Sequence, residues 1–92
     1  MKKELKQIDS STLGISKRTQ VAVGKDCNYY IIKNIKSRII MKDGKKIKET
    51  ANTIMSQTKK RVFLATTAPV CGKTKTYLES KNIQIVTDYI HN

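Results

Sequence analysis

The residues best placed to do chemistry form one short string, Thr67-Ala68-Pro69-Val70-Cys71-Gly72-Lys73-Thr74. A Gly-Lys-Thr triplet that opens a helix sets an ammonium group and a hydroxyl beside free backbone N–H groups, an arrangement that holds phosphate. Thr67 occupies the place where such a loop has its first glycine, and Pro69 removes one backbone donor. The string therefore predicts an anion contact through Thr66, Thr67 and Lys73, with an ordinary strand-to-helix turn as the alternative. It argues against nucleotide hydrolysis, which also needs a larger parallel sheet and a magnesium-holding carboxylate, for which Asp88 beyond Ile85-Val86 is a poor substitute.

Other chemistry lacks partners. The acids Glu4, Asp9, Asp26, Asp43, Glu49, Glu79 and Asp88 form no close pair in sequence. Asp26 could approach Lys33 across a hairpin, but one carboxylate holds magnesium poorly, and a turn residue is the simpler reading. Cys27 and Cys71 make no Cys-x-x-Cys pair, and the sole histidine, His91, stands at a terminus expected to fray. No metal site, cofactor or activated nucleophile is implied. Two buried thiols are a simpler expectation than a disulfide in a reducing compartment. Tyr29 and Tyr30 point to opposite faces of a strand, so one ring is expected to pack inward and the other to face solvent, where it either stacks on a base or covers the sheet.

Charge supplies the broader signal. The 92 residues carry 19 Lys+Arg against 7 Asp+Glu, a formal net charge of +12. Residues 1–36 hold eight Lys/Arg against three acids and residues 37–60 seven against two, so the first two thirds are the polycationic part. Such a surface attracts phosphate backbones by counterion release, although a lysine-rich composition can also serve solubility alone. A chain of this length builds one modest core, which excludes a multidomain enzyme. No run approaches the ~20 apolar residues of a membrane span, and the start lacks a signal-peptide pattern, so a cytoplasmic protein without membrane contact is expected.

The elements that must position these residues follow from periodicity. Residues 1–19 are poor in apolar residues and read as an N-terminal arm or a weak first element, with the domain proper over 20–92. Val21-Ala22-Val23 and Tyr29 to Ile35 are β-prone runs around a turn at Gly24 to Asn28, a predicted hairpin. Ser37 offers an N-cap for a helix over about 38–58, whose apolar face carries Ile40, Ile47, Ala51, Ile54 and Met55. Gly44 weakens that helix by about 1 kcal/mol relative to Ala, and a hairpin turning at Asp43-Gly44 is the alternative. Arg61 to Ala65 reads as a strand covered on both faces by helices. Gly72 to Lys81 reads as a helix stopped at Asn82, and Ile83 to Thr87 as a strand parallel to the preceding one. The expectation is a single α/β domain, a small mixed sheet in the order β β α β α β flanked by helices.

From Tyr29 to Asp88 this order resembles the core of the restriction-endonuclease-like superfamily, in particular its Mrr-type domains. The likeness lies in Tyr30-Ile31-Ile32-Lys33 as the lysine-bearing strand, in Val62 to Ala68 with its Thr66-Thr67 ending, and in the closing run Ile83 to Asp88. Where that superfamily has an acid two residues before the lysine, this chain has Ile31, and Val21-Ala22-Val23 has no aspartate. The resemblance thus implies the fold with its catalytic acids missing and Lys33 alone retained. A second, local likeness is to the kink-turn-binding ribosomal protein family, through Glu49, Ile54, Lys60, Val62, Ala65 and Glu79 to Ile83, although Lys48 stands where that family has an RNA-contacting asparagine.

The sequence is therefore read as a small non-catalytic protein that binds DNA or RNA through a lysine-rich face. Lys33, Lys36, Arg38, Lys42, Lys45 and Lys46 are the candidate phosphate contacts, with Thr66, Thr67, Lys73 and Lys75 as a second group near the strand ends. The alternatives are a divergent metal-dependent nuclease and a protein-interaction module, an adaptor or inhibitor, that meets an acidic partner.

Overall fold

A computed structural model describes residues 3–15, 19–33, 35–87 and 89–91. Asp88 lies outside the described residues, as does Asn34 within the second β-prone run. In chain order the elements are β1 (Lys3–Ile8), a 3-10 turn (Ser10–Leu13), β2 (Gln20–Gly24), β3 (Tyr29–Lys33), α1 (Met41–Thr58), β4 (Val62–Thr66), α2 (Gly72–Ser80), β5 (Gln84–Val86) and β6 (Tyr89–His91). The strands form one mixed sheet ordered β5-β4-β3-β2-β1-β6. The α/β class and the mixed sheet agree with the sequence. Residues 1–19 contribute β1, which pairs antiparallel with β2 and parallel with β6. His91 lies in β6.

The hairpin forms as its β-branched and aromatic residues predict, with Val21 opposite Ile31 and Val23 opposite Tyr29. Asp26 organises the turn. Its carboxylate accepts the Asn28 N–H at 3.2 Å, the Asn28 side-chain amide at 3.1 Å and the Tyr30 hydroxyl at 2.9 Å. Gly24 is required there, since a Cβ would lie 2.7 Å from both Asp26 Oδ1 and the Tyr30 ring. Asp26 is thus a turn residue, and Lys33 stands at the other end of β3. Cys27 takes the left-handed position of the turn, φ 66°, and is exposed.

Alternation along the strands sends side chains to two cores. Val21, Ile31, Val62 and Leu64 meet Ile47, Ala51 and Ile54 of α1 and Leu78 of α2 on one face. Leu5, Ala22, Tyr30, Ile32, Phe63 and Ala65 cluster on the other, where the Tyr30 and Phe63 rings meet edge to face with centroids 5.0 Å apart. Every residue of β4 is buried, as its apolar run predicts, but both helices pack on the first face only. That follows from two successive crossovers in the same direction, β3 to β4 and β4 to β5, each joining parallel strands. Each large aliphatic side chain buried this way stabilises the fold by about 1.5–3 kcal/mol.

Helix α1 runs unbroken through Gly44, and no hairpin forms at Asp43-Gly44. Gly44 is buried because α2 crosses there: an added Cβ would lie 2.8 Å from Thr74 Cγ2. The helix starts later than expected. Ser37 is not its cap; Ile40 holds the N-cap position, and the Asp43 carboxylate accepts the Ile40 N–H at 3.2 Å. The delay has a cause in the preceding loop. Ile39, fully buried, makes a parallel bridge to Val70, donating to the Pro69 carbonyl at 2.8 Å and accepting the Cys71 N–H at 2.9 Å. This bridge ties the approach to α1 to the approach to α2. Helix α2 ends as predicted, with Asn82 left-handed at φ 63° and the Ile83 N–H returning to the Leu78 carbonyl at 2.9 Å.

Candidate nucleic-acid interface

Parallel strands β3 and β4 end on the same side of the molecule, and each is followed by a helix that starts there. The candidate phosphate contacts fall on that side. Lys33 closes β3; Lys36 and Arg38 are exposed in the loop before Ile39; Lys42, Lys45 and Lys46 are exposed on the first turns of α1. Thr67 is exposed after β4, and Lys73 and Lys75 are exposed on the first turn of α2. Thr66 is fully buried, and its hydroxyl donates to the Lys33 carbonyl at 2.8 Å while accepting the Ala68 N–H at 3.0 Å.

On α1 the spacing of three and four residues sets Lys42, Lys45, Lys46 and Glu49 on one face, opposite the buried Gly44, Ile47, Ala51 and Ile54. Where that face meets the end of β3, a cleft of about 250 Å³ opens, lined by Thr19, Ile31, Lys33, Lys46, Ile47, Glu49 and Thr50. Sequence reading missed Thr19, Glu49 and Thr50 as members of this site. The i, i+3 relation of Lys46 and Glu49 was the available signal.

The electrostatics of this end differ from those of the opposite one. Each helix carries about half an elementary positive charge at its N-terminus and a matching negative charge at its C-terminus. Here two N-termini add to the lysines, and the nearby acids are Asp43, which accepts the Ile40 N–H, and Glu49. At the far end Lys59, Lys60 and Arg61 also gather, beside Asn82, but they sit against the C-termini of α1 and α2, whose dipoles offset them. Both ends therefore carry cationic side chains, and the end where the helices begin adds helix dipoles of the same sign.

Cys71 occupies the N-cap of α2 as a free, partly exposed thiol, and Cys27 is also free, so the thiols are unpaired but not buried. Cys71 makes no side-chain cap hydrogen bond, but the backbone N–H groups of Lys73 and Thr74 at the start of α2 favour its thiolate and hold its pKa below the ordinary thiol value, with smaller help from Arg38 and Lys73. The tyrosines are not free for stacking on an open face. Tyr30 is fully buried, and Tyr29 packs half-buried against the helix-covered core. Burial and the bond to Asp26 push the Tyr30 phenol well above the usual tyrosine range.

The cleft does not fit a divalent cation. It offers a single carboxylate, Glu49, and the hydroxyls of Thr19 and Thr50, and its lining also includes the apolar Ile31 and Ile47 and the amines of Lys33 and Lys46. Magnesium and calcium need an oxygen-rich shell with carboxylates to balance charge, whereas this set carries more ammonium than carboxylate. Among the described residues no group of three or more His, Cys, Asp or Glu side chains lies close enough to hold a metal. Among them, too, no helix is long and apolar enough to cross a membrane.

No protein family matches the sequence, and no curated protein does. Solved structures do match by shape. A repair endonuclease from Pyrococcus abyssi aligns at 14% identity and a TM-score of 0.62, over 78% of this chain and 31% of that one. EndoMS in its apo form aligns at 12% identity and 0.64, over 96% of this chain and 37% of that one. EndoMS in complex with double-stranded DNA aligns at 14% identity and 0.60, over 78% and 30%. The chain spans about a third of the length of these structures. The likeness shows that this chain shares the fold of these solved structures, in agreement with the order of elements read from Tyr29 onward.

Proposed function

We propose that this chain is a DNA-binding domain that grips the phosphate backbone without cutting it. The observation that carries this reading is the convergence of Lys33, Lys36, Arg38, Lys42, Lys45, Lys46, Lys73 and Lys75 on the side where α1 and α2 begin. Lysines held by rigid helices and by the end of a central strand present a preformed cationic surface, and phosphate contacts of this kind give affinity that falls steeply with salt. Thr67 adds an exposed hydroxyl, and Thr66 acts indirectly by fixing the end of β3. A solved neighbour of the same fold carries double-stranded DNA, which supports duplex DNA as the polyanion.

Fluorescence anisotropy with a labelled duplex tests this directly. Binding at low ionic strength, with log K falling linearly in log salt concentration, is the expected result; no binding at low salt removes the reading.

The fold itself favours a second reading, a metal-dependent nuclease, because the solved neighbours include repair endonucleases. Incubation with single- and double-stranded DNA plus magnesium or manganese decides between the two. Non-catalytic binding predicts no cleavage above that of a Lys33→Ala control, and metal-dependent cleavage that this variant lacks establishes the nuclease.

A further inference from the structure

The cleft between β3 and α1 has an internal imbalance that the surface lysines lack. Lys33 is half-buried at the end of its strand, Lys46 reaches the same cleft from the second turn of α1, and Glu49 stands one helical turn beyond Lys46. Among the described residues the Glu49 carboxylate makes no ion pair with either lysine. The ammonium groups are therefore not neutralised at contact distance, and the cleft keeps a net positive charge, with Lys33 half-buried and Lys46 exposed. Glu49 is the single carboxylate among the lining residues, where a cation would need more.

We propose that Lys33 and Lys46 together seat one backbone phosphate of DNA in this cleft directly, with no divalent cation, and that Glu49 opposes the seated phosphate and weakens binding. The inference rests on the DNA-binding reading above and sharpens it. It assigns one phosphate position to the cleft and gives Glu49 a sign opposite to that of a metal ligand. A ligand carboxylate helps binding through its ion and is missed when removed. A carboxylate facing a phosphate repels it, so its neutralisation tightens the complex. The threonine hydroxyls of Thr19 and Thr50 line the same cleft and are available to donate to phosphate oxygens.

The test is duplex binding by the full chain and its Lys33→Gln, Lys46→Gln, Glu49→Gln and Lys60→Gln variants, in EDTA and in magnesium at matched ionic strength. The cleft variants of lysine are expected to lose affinity severalfold, Lys60→Gln at the opposite end to bind like the wild type, and Glu49→Gln to bind severalfold more tightly. Exchanging EDTA for magnesium is expected to change nothing. Lys46 is exposed on a helix, so its variant keeps the test valid even if Lys33→Gln lowers stability. Weaker binding by Glu49→Gln together with magnesium-enhanced binding by the wild type overturns the proposal in favour of a metal seat. Wild-type affinity in both Lys33→Gln and Lys46→Gln, with the wild type still binding DNA, overturns it while leaving the DNA-binding reading intact. A wild type that binds no DNA at low salt removes both.

Discussion

Thr66 Oγ1 donates to the Lys33 carbonyl at 2.8 Å, so one buried hydroxyl fixes the last residue of β3 against the end of β4. The same oxygen accepts the Ala68 N–H at 3.0 Å and so bends the chain toward α2. The position of Lys33, and with it the cleft, depends on this junction.

Thr66→Val preserves the shape of the side chain and removes both bonds, leaving a carbonyl and an N–H unpaired in a buried place. A loss of about 1–3 kcal/mol is expected, read in urea as a lower midpoint with an unchanged slope. Thr66→Ser keeps the hydroxyl and should retain more of the stability. Equal stability of the valine variant and the wild type would show that the hydroxyl does not hold the junction.

Gly44→Ala tests the crossing of the helices. Propensity alone predicts a gain of about 1 kcal/mol in a helix interior. The Cβ, however, would meet Thr74 Cγ2 at 2.8 Å, and Thr74 is itself fully buried. Overpacking of this kind costs about 1–3 kcal/mol, so destabilisation is expected. Adding Thr74→Ser, which deletes the methyl group, should recover part of it; a stabilised single variant would mean that the helices separate freely.

Cys71 provides a test by pH. Its thiolate is favoured in the fold by the Lys73 and Thr74 N–H groups, so the folded pKa lies below the unfolded one. The resulting stability is fully present above the ordinary thiol value and is lost as pH falls through the folded value. In a Cys27→Ser background, the rate of alkylation at Cys71 should reach its midpoint at lower pH than that of a free cysteine peptide. A midpoint at or above the peptide's would contradict stabilisation of the thiolate at the start of α2.

Much of this architecture is legible in local pattern. The hairpin announces itself by Val21, Val23, Tyr29 and Ile31 around a Gly24 to Asn28 turn, and the apolar face of α1 by Ile47, Ala51 and Ile54. What local pattern hides is pairing between distant segments. Strand β1 has a sparse apolar alternation and owes its place to β2 and to β6, whose Tyr89 aligns with Lys3 across nearly the whole chain. The start of α1 is set by the bridge of Ile39 to Val70, so Ser37, a good cap by type, is passed over. The lysines were recognisable singly. The cleft was not, because Thr19, Lys33 and Glu49 come from three separate segments that meet through the pairing of β2 with β3 and the packing of α1 on the sheet.

The central claim is that DNA is held where the helices begin. Titration of the 15N-labelled chain with a short duplex, followed by amide chemical shifts, tests it most directly. The predicted perturbations cluster at Lys33, Lys36, Arg38, residues 42–50, Thr67 and residues 71–75. Perturbations centred instead on Lys59, Lys60, Arg61 and Lys81, where the helices end, would contradict it.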